Sequence, residues 1–227
     1  MNFDFERGEI LLVSKPYGWT SFDVVNFVRN TIKVNLGIKK IRIGHAGTLD
    51  PLATGLLILC TGSMTKKVIQ FQDLEKEYTG TFILGATTPS FDLEKKIDHT
   101  YSIEGITKEK VLEIIPQLTG TYDQVPPVFS AKKIEGRRAY KYARADSEIK
   151  LKPHGITISA FEITRFALPE VDFRIACSKG TYIRAVARDF GKLLGNGAYL
   201  GVLCRTRIGQ HHLRDAWDLE ELKKTIQ

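Results

Sequence analysis

Cysteine is scarce in this chain. Three of its 227 residues are cysteines, and Cys60, Cys177 and Cys204 lie far apart in the sequence. An odd number at such spacing fits neither a disulfide framework nor the paired cysteines of a structural zinc site. Reduced thiols in a cytosolic protein are the simplest interpretation, so we expect a cytoplasmic location.

Long hydrophobic runs and metal-ligand clusters are also lacking. The longest apolar run, residues 56–60, is too short to cross a bilayer, and the acidic N-terminus has no signal-peptide core. We therefore expect no membrane association. The five histidines are scattered, and the pair His211 and His212 is best interpreted as solvated. The sequence therefore predicts no metal site.

Acidic residues are outnumbered by basic ones. The chain has 33 Lys and Arg residues against 26 Asp and Glu residues, which gives a net charge of +7. Such a surplus favours a polyanionic partner such as nucleic acid, although many basic proteins bind none. The hydrophobic fraction of 43% is ordinary for a globular protein and suffices for one large core or two small ones.

One segment, residues 44–57 (GHAGTLDPLATGLL), carries the pattern of a reactive loop. Its glycines permit positive φ, and Pro51 disfavours helix at Asp50. The pattern predicts a stiff loop that displays Asp50 and feeds a buried strand, which is a common position for a reactive side chain. An aspartate that hydrogen-bonds its own backbone within a turn is the alternative.

Periodicity predicts helices and strands in alternation. Strands are predicted at residues 10–13, 56–60, 77–85, 156–161 and 171–177. A capping-box spacing at Thr20–Asp23 predicts a helix in which Phe22, Val25, Val28 and Ile32 recur at helical spacing. Further helices are predicted at residues 107–118, from residue 183 to Gly195, and near residues 215–222.

Residues 61–67 (TGSMTKK) lack the spacing of a nucleotide-binding phosphate loop. We interpret them as the start of a helix in which Val68, Ile69 and Phe71 face inward.

A basic and aromatic stretch extends from residue 124 to residue 152. It interleaves cations such as Arg137 and Arg144 with Tyr140 and Tyr142. This combination suits an RNA backbone with unstacked bases. A solvated helix with long charged side chains is an equally good interpretation of the stretch taken by itself.

Arg184 is predicted in the first turn of a helix, since the alternating strand at residues 171–177 is followed by SKGTYIR. A cation there is unfavourable against the helix dipole, so a compensating carboxylate is expected. Pairing at the protein surface is the commoner arrangement and the alternative.

The Asp50 segment resembles the nucleophile loop of the TruB family, pseudouridine synthases that act on the T loop of tRNA. Other segments resemble further motifs of that family, and they are residues 15–21 (KPYGWTS), 76–78 (KEY), 177–184 (CSKGTYIR) and 197–209 (GAYLGVLCRTRIG). Three places depart from the family pattern, and at one of them Phe129 stands where a Tyr is common. Cys204 stands where the family usually has Arg, and residues 87–92 differ enough that no role is carried onto Asp92.

The resemblance implies an α+β fold with a mixed, mainly antiparallel central sheet, flanking helices and an RNA-binding cleft. We expect a single catalytic domain over residues 1–227, with residues 124–152 as an RNA-gripping insertion. We expect no C-terminal PUA-like domain. The KPYGWTS turn is implied to brace the active-site loop.

The resemblance also implies the catalytic roles. Asp50 would be the nucleophile, Arg184 its ion-pair partner and Tyr78 a stacking support for the target base. A paired guanidinium would keep the carboxylate ionised.

Three more residues would bind the substrate. His45 would fill the gap left by the flipped base, while Tyr182 and Leu203 would close the pocket around the uracil. Without the resemblance, His45 would be an ordinary loop histidine, and Tyr182 and Leu203 plain core residues.

The implied function is isomerisation of the T-loop uridine at position 55 of tRNA, by nucleophilic catalysis with base flipping. No group enters or leaves in this reaction, so no cofactor is expected. The expected partner is the tRNA T stem-loop, and we expect a monomer without a protein partner. Two alternatives stay open: a synthase of the guide-RNA type, and a non-catalytic RNA chaperone that grips the T arm.

Overall fold

The computed structural model describes residues 3–128, 133–134, 137–138 and 151–227. Most of the predicted insertion at residues 124–152 lies outside these ranges. The described strands are β1 Ile10–Lys15, β2 Ile43–His45, β3 Thr54–Thr61, β4 Lys76–Leu84, β5 Ala86–Thr87, β6 His99–Thr100, β7 Gly120–Gln124, β8 Lys133–Ile134, β9 Arg137–Arg138, β10 His154–Ala167, β11 Glu170–Cys177, β12 Ala198–Ile208 and β13 His211–His212. The α-helices are α1 Ser21–Leu36, α2 Val68–Asp73, α3 Lys108–Ile114, α4 Ile183–Leu193 and α5 Leu219–Thr225, with 3₁₀ turns at Gly62–Lys67, Ile115–Leu118 and Leu213–Asp215.

The chain divides into two compact units. Unit 1 comprises Met1–Thr79 and Leu203–Gln227, and unit 2 comprises Gly80–Val202. Strands β4 and β12 each contribute residues to both units. The extent of the predicted catalytic domain, residues 1–227, stays a prediction.

Unit 1 is built around β3, which is buried along almost its whole length. β1 and β2 pair with it antiparallel, and the end of β12 pairs with it parallel, at Cys204 and Arg205. Helices α1 and α5 cover an apolar cluster that includes Val13, Val28, Leu57 and Leu222. The mixed, mainly antiparallel pairing with flanking helices confirms the predicted α+β class.

Helix α1 begins at the predicted capping box. The Thr20 side chain accepts a hydrogen bond from the Asp23 amide, the Asp23 carboxylate accepts from the Thr20 amide, and Gly37 ends the helix in the left-handed region. The predicted buried face is wrong at its first position. Phe22 is 61% exposed because it lies in the first turn, and Val24 is buried instead.

The helix predicted after residue 61 is shorter than expected. Residues Gly62–Lys67 form a 3₁₀ turn, and α2 covers only Val68–Asp73. Val68 and Phe71 pack against the core, whereas Ile69 is 67% exposed, so the prediction that Ile69 faces inward is wrong. A helix of six residues buries only one narrow face, and Ile69 lies outside it.

Unit 2 contains the long antiparallel pair β10 and β11, with β7 antiparallel to β10. Four phenylalanines form its aromatic core: Phe82 stacks on Phe173 with ring centroids 4.2 Å apart and lies 5.1 Å from Phe190, and Phe161 packs edge-on. Helix α4 supplies Phe190 and presents Arg184 in its first turn, as predicted. No helix within the described ranges is long and apolar enough to cross a membrane.

Candidate active site

Asp50 lies on the loop between β2 and β3 and is half-buried. The loop begins where the Ala46 amide donates to the Ile58 carbonyl at 2.9 Å, and it turns at Gly47, whose φ is +95°. It ends where the Ala53 amide donates to the Asp50 carbonyl at 3.0 Å. The predicted stiff loop feeding a buried strand is therefore present in unit 1.

The turn between β1 and α1 braces this loop, as the resemblance implies. The Leu49 amide donates to Ser21 Oγ at 2.9 Å, and the Gly18 amide donates to the Pro51 carbonyl at 2.9 Å. Both bonds join segments far apart in sequence to the residues on either side of Asp50. The backbone around Asp50 is thus held from outside the loop.

Lys15 lies beneath the same turn and is fully buried. Its ammonium donates to the carbonyls of Pro16 at 2.9 Å, Trp19 at 2.6 Å and Pro51 at 3.3 Å. Burial lowers the pKa of Lys15 to about 8, while the Asp50 carboxylate acts in the opposite direction. Lys15 is therefore a buried cation close to the Asp50 loop.

The buried ammonium predicts a stability that depends on pH. Since the pKa of Lys15 falls from 10.5 in the unfolded chain to about 8, the unfolded chain binds more protons between these values. The free energy of unfolding should therefore rise with pH across this window, by up to about 3 kcal/mol. Urea unfolding at pH 7.5 and pH 10.5 measures the rise.

Lys15→Met should lose this rise, because the variant has no group to titrate there. The exposed Lys33 offers a matched control, and Lys33→Met should keep the wild-type profile. Parallel profiles for wild type and Lys15→Met would contradict the assignment.

Arg205 is a second buried cation at the loop, 1% exposed. Its Nε donates to the Leu56 carbonyl at 2.8 Å and its Nη2 to the Gly47 carbonyl at 3.1 Å. A side chain at Gly55, where φ is +110°, would lie 2.4 Å from the Arg205 carbonyl oxygen, so only glycine allows this approach. Arg205 therefore links β12 to both ends of the Asp50 loop.

Arg205 was not among the site residues predicted from the sequence. Strand alternation could have indicated that Arg205 is buried. Leu203 and Arg205 lie on the same face of β12, and Leu203 is buried. An arginine on a buried strand face needs acceptors, which the loop carbonyls supply.

His45 ends β2 and is half-buried. Burial is the largest cause that lowers its pKa, followed by the nearby Arg205 charge, while the Gly47 backbone acts in the opposite direction. Its Nδ1 is buried and has no hydrogen-bond partner among the described residues. Burial thus favours the neutral form of the imidazole.

Tyr78 and Leu203 also belong to unit 1, where they lie on β4 and β12. They are 9% and 8% exposed. The Leu203 carbonyl accepts a hydrogen bond from Thr54 Oγ1 at 3.4 Å, next to the strand that leaves the Asp50 loop. Unit 1 therefore contains Asp50, His45, Tyr78 and Leu203, and their roles stay predictions.

Arg184 and Tyr182 belong to unit 2. Arg184 is 4% exposed, and its Nε lies 3.5 Å from Asp92 Oδ2, while Nη1 donates to the Ser90 carbonyl at 3.3 Å. The expected compensating carboxylate is thus present and buried, and this pair is not at the surface. The predicted pairing of Arg184 with Asp50 stays a prediction.

Asp92 is the second residue that sequence reasoning missed, since its segment departs from the family pattern. A tight turn holds it: Phe91 has a φ of +60°, the Leu200 amide donates to the Phe91 carbonyl at 2.9 Å, and Thr88 Oγ1 donates to the Asp92 carbonyl at 2.7 Å. A bulky residue at positive φ persists only where its surroundings demand it, often at a functional site. The segment that departs from the family pattern therefore places a buried acid beside Arg184.

The described residues contain no group of three or more His, Cys, Asp or Glu side chains that could hold a metal ion. Unit 1 supplies a carboxylate on a braced loop, an imidazole, and one aromatic and one apolar side chain. Unit 2 supplies a second aromatic side chain and a buried guanidinium.

Comparison with known proteins shows the family of this chain. A family model described as TruB family pseudouridylate synthase (N terminal domain) matches residues 33–183. A tRNA pseudouridine synthase B from Flavobacterium johnsoniae is 50% identical over 225 residues, covering 99% of this chain and 98% of that relative. A tRNA pseudouridine synthase B from Phocaeicola vulgatus is 52% identical over 223 residues, covering 98% and 95%.

Solved structures show the same fold. A chain in the crystal structure of a Cbf5-Nop10-Gar1 complex superposes with a TM-score of 0.72 at 24% identity, over 97% of this chain and 54% of that chain. Thus this chain spans about half the length of that protein. Together with the matched family model, this fold defines the class, the pseudouridylate synthases. The two relatives, matched over 98% and 95% of their length, share about half of the aligned residues with this chain. The chain belongs to the TruB family.

Proposed function

We propose that this chain is a tRNA pseudouridine synthase that isomerises the T-loop uridine at position 55. The observation that carries the proposal is the Asp50 loop, which Lys15, Ser21 and Arg205 brace through hydrogen bonds to the backbone on both sides of the carboxylate. A nucleophile held this firmly loses little entropy when it attacks. The TruB relatives that match nearly the whole chain are named for this activity.

The reaction breaks the bond from C1′ to N1, turns the uracil and joins C1′ to C5. N1 gains a proton and C5 loses one, so the atoms balance without a cofactor. Asp50 forms a covalent adduct with one of the two fragments, the sugar or the uracil, while the uracil turns. Arg184 keeps the carboxylate ionised during the attack.

The base leaves its stack before it reacts, which costs a few kcal/mol. Tyr78 offsets part of this cost by stacking on the flipped uracil, and Tyr182 and Leu203 close the pocket around it. His45 occupies the gap in the T loop, and its neutral ring suits that position because no charge is buried among the bases.

The T stem-loop is the part of the tRNA that this chain binds, through a cleft and the basic insertion at residues 124–152. We propose a monomer in the cytoplasm. The three free cysteines, of which Cys60 and Cys177 are buried, are consistent with a reducing compartment.

The test is incubation of the purified protein with an unmodified tRNA transcript, followed by mapping of pseudouridine along the RNA. We expect one new pseudouridine, at position 55, and none in a transcript that carries cytidine there. Binding without any product would favour the RNA chaperone instead. Product that appears only after a guide RNA is added would favour the guide-dependent type.

A further inference from the structure

The predicted insertion lies between two paired strands of unit 2. β7 ends at Gln124, β10 begins at His154, and these two residues are register partners in the antiparallel pair. Residues 125–153 lie between them in sequence. The two ends of the predicted insertion are therefore held side by side in the sheet.

Both polar atoms of the Gln124 side chain form hydrogen bonds with Tyr182. Gln124 is fully buried, its Oε1 accepts from the Tyr182 amide at 2.9 Å, and its Nε2 donates to the Tyr182 carbonyl at 3.3 Å. The two bonds orient the amide unambiguously. Tyr182 is the N-cap residue of α4 and makes no side-chain cap of its own, so Gln124 holds the backbone where α4 begins.

Three further contacts join the ends of the predicted insertion to the loop before α4 and to α4 itself. His154 Nε2 donates to the Gly180 carbonyl at 3.0 Å, and the His154 ring meets the Tyr182 ring edge-on, with centroids 6.1 Å apart. Arg188 of α4 donates through Nη1 to the Val125 carbonyl at 3.0 Å. Both ends of the insertion are therefore anchored to the segment that carries Tyr182.

We infer that Gln124 is a positioning residue for the isomerisation: its two hydrogen bonds fix the backbone of Tyr182, and with it the ring that the proposed function places against the uracil. This inference rests on the proposed function and deepens it. Gln124 itself need not touch the substrate. Its effect on the reaction passes through Tyr182.

The first experiment replaces Gln124 with Met, which preserves length and burial but removes both hydrogen bonds. We expect kcat for pseudouridine formation to fall roughly 10- to 100-fold, because small displacements of a positioning group cost this much. KM for the tRNA transcript should change less than about threefold, since the RNA-binding side chains are intact. Thr121→Val, an exposed change on the same strand, is the matched control and should keep wild-type kcat.

A double-mutant cycle separates positioning from loss of structure. If Gln124 acts through Tyr182, Gln124→Met should reduce the activity of Tyr182→Ala by less than about twofold, well under its effect on the wild type. Fully additive effects would overturn the inference. So would a fall in activity explained entirely by a raised KM.

Gln124→Glu gives a second readout if the Met variant folds poorly. A protonated glutamic acid can both accept from the Tyr182 amide and donate to its carbonyl, whereas the carboxylate can only accept. Activity relative to wild type should therefore rise as pH falls from 8 to 6. A pH-independent ratio would overturn the inference.

Failure of the proposed function is distinguishable from failure of this inference. If wild type makes no pseudouridine, the proposed function fails. If wild type is active and Gln124→Met retains its kcat, only the positioning role fails.

Discussion

Replacing Asp50 with Asn should abolish pseudouridine formation while leaving tRNA binding within about threefold of wild type. The amide has nearly the shape of the carboxylate but is not a nucleophile, so the covalent step is lost. We expect the single-turnover rate to fall by at least roughly 10³-fold, as for other enzymes that lose their nucleophile. Pseudouridine mapping after long incubation and a filter-binding titration measure the two quantities.

The loop around Asp50 should survive this change. Its braces run from Lys15, Ser21 and Arg205 to backbone groups and do not need the carboxylate. The exposed Asp215 offers a matched Asp→Asn control that should keep wild-type activity. Measurable turnover by Asp50→Asn, at more than a few per cent of the wild-type rate, would remove Asp50 from the mechanism.

Replacing Arg184 with Met should destabilise the protein by about 3–5 kcal/mol and abolish activity. The change leaves the Asp92 carboxylate, 5% exposed, without the guanidinium that lies 3.5 Å away. An isolated buried charge costs more than the pair that contained it, because water no longer solvates it. Urea unfolding measures the loss of stability, and single-turnover kinetics measure the loss of rate.

A surface arginine provides the matched control. Arg174 pairs with Glu162 at the exposed face of unit 2, so Arg174→Met should cost less than about 1 kcal/mol. The double variant Arg184→Met/Asp92→Leu should regain part of the lost stability, since no unpaired charge is left, but no activity. Equal costs for the two arginine variants would contradict a buried pair at Arg184.

Local features of the candidate site could be predicted from the sequence. These features depend on residues within a few positions of each other. They are the Gly and Pro residues of the Asp50 loop, the capping box at Thr20 and the position of Arg184 in a first helical turn. The need for a carboxylate near Arg184 also followed, since a cation opposes the helix dipole there. The position of Asp92 beside Arg184 did not follow, because a contact between distant segments leaves no local period.

The predictions that failed share a cause. Phe22 and Ile69 satisfy helical spacing, yet both are exposed, because a short helix or a first turn covers only part of its apolar face. Spacing indicates which residues share a face, but the neighbouring elements decide how much of that face is covered.

By itself, the sequence determined the class of elements, the loop that displays Asp50, the expected nucleophile and the family to which the chain belongs. Only the tertiary structure decided that Lys15 and Arg205 brace that loop, that Asp92 is the acid beside Arg184, and that Gln124 holds Tyr182. The reason is physical. Buried charges and amides must find partners, and which partners are in reach depends on how the strands and helices pack.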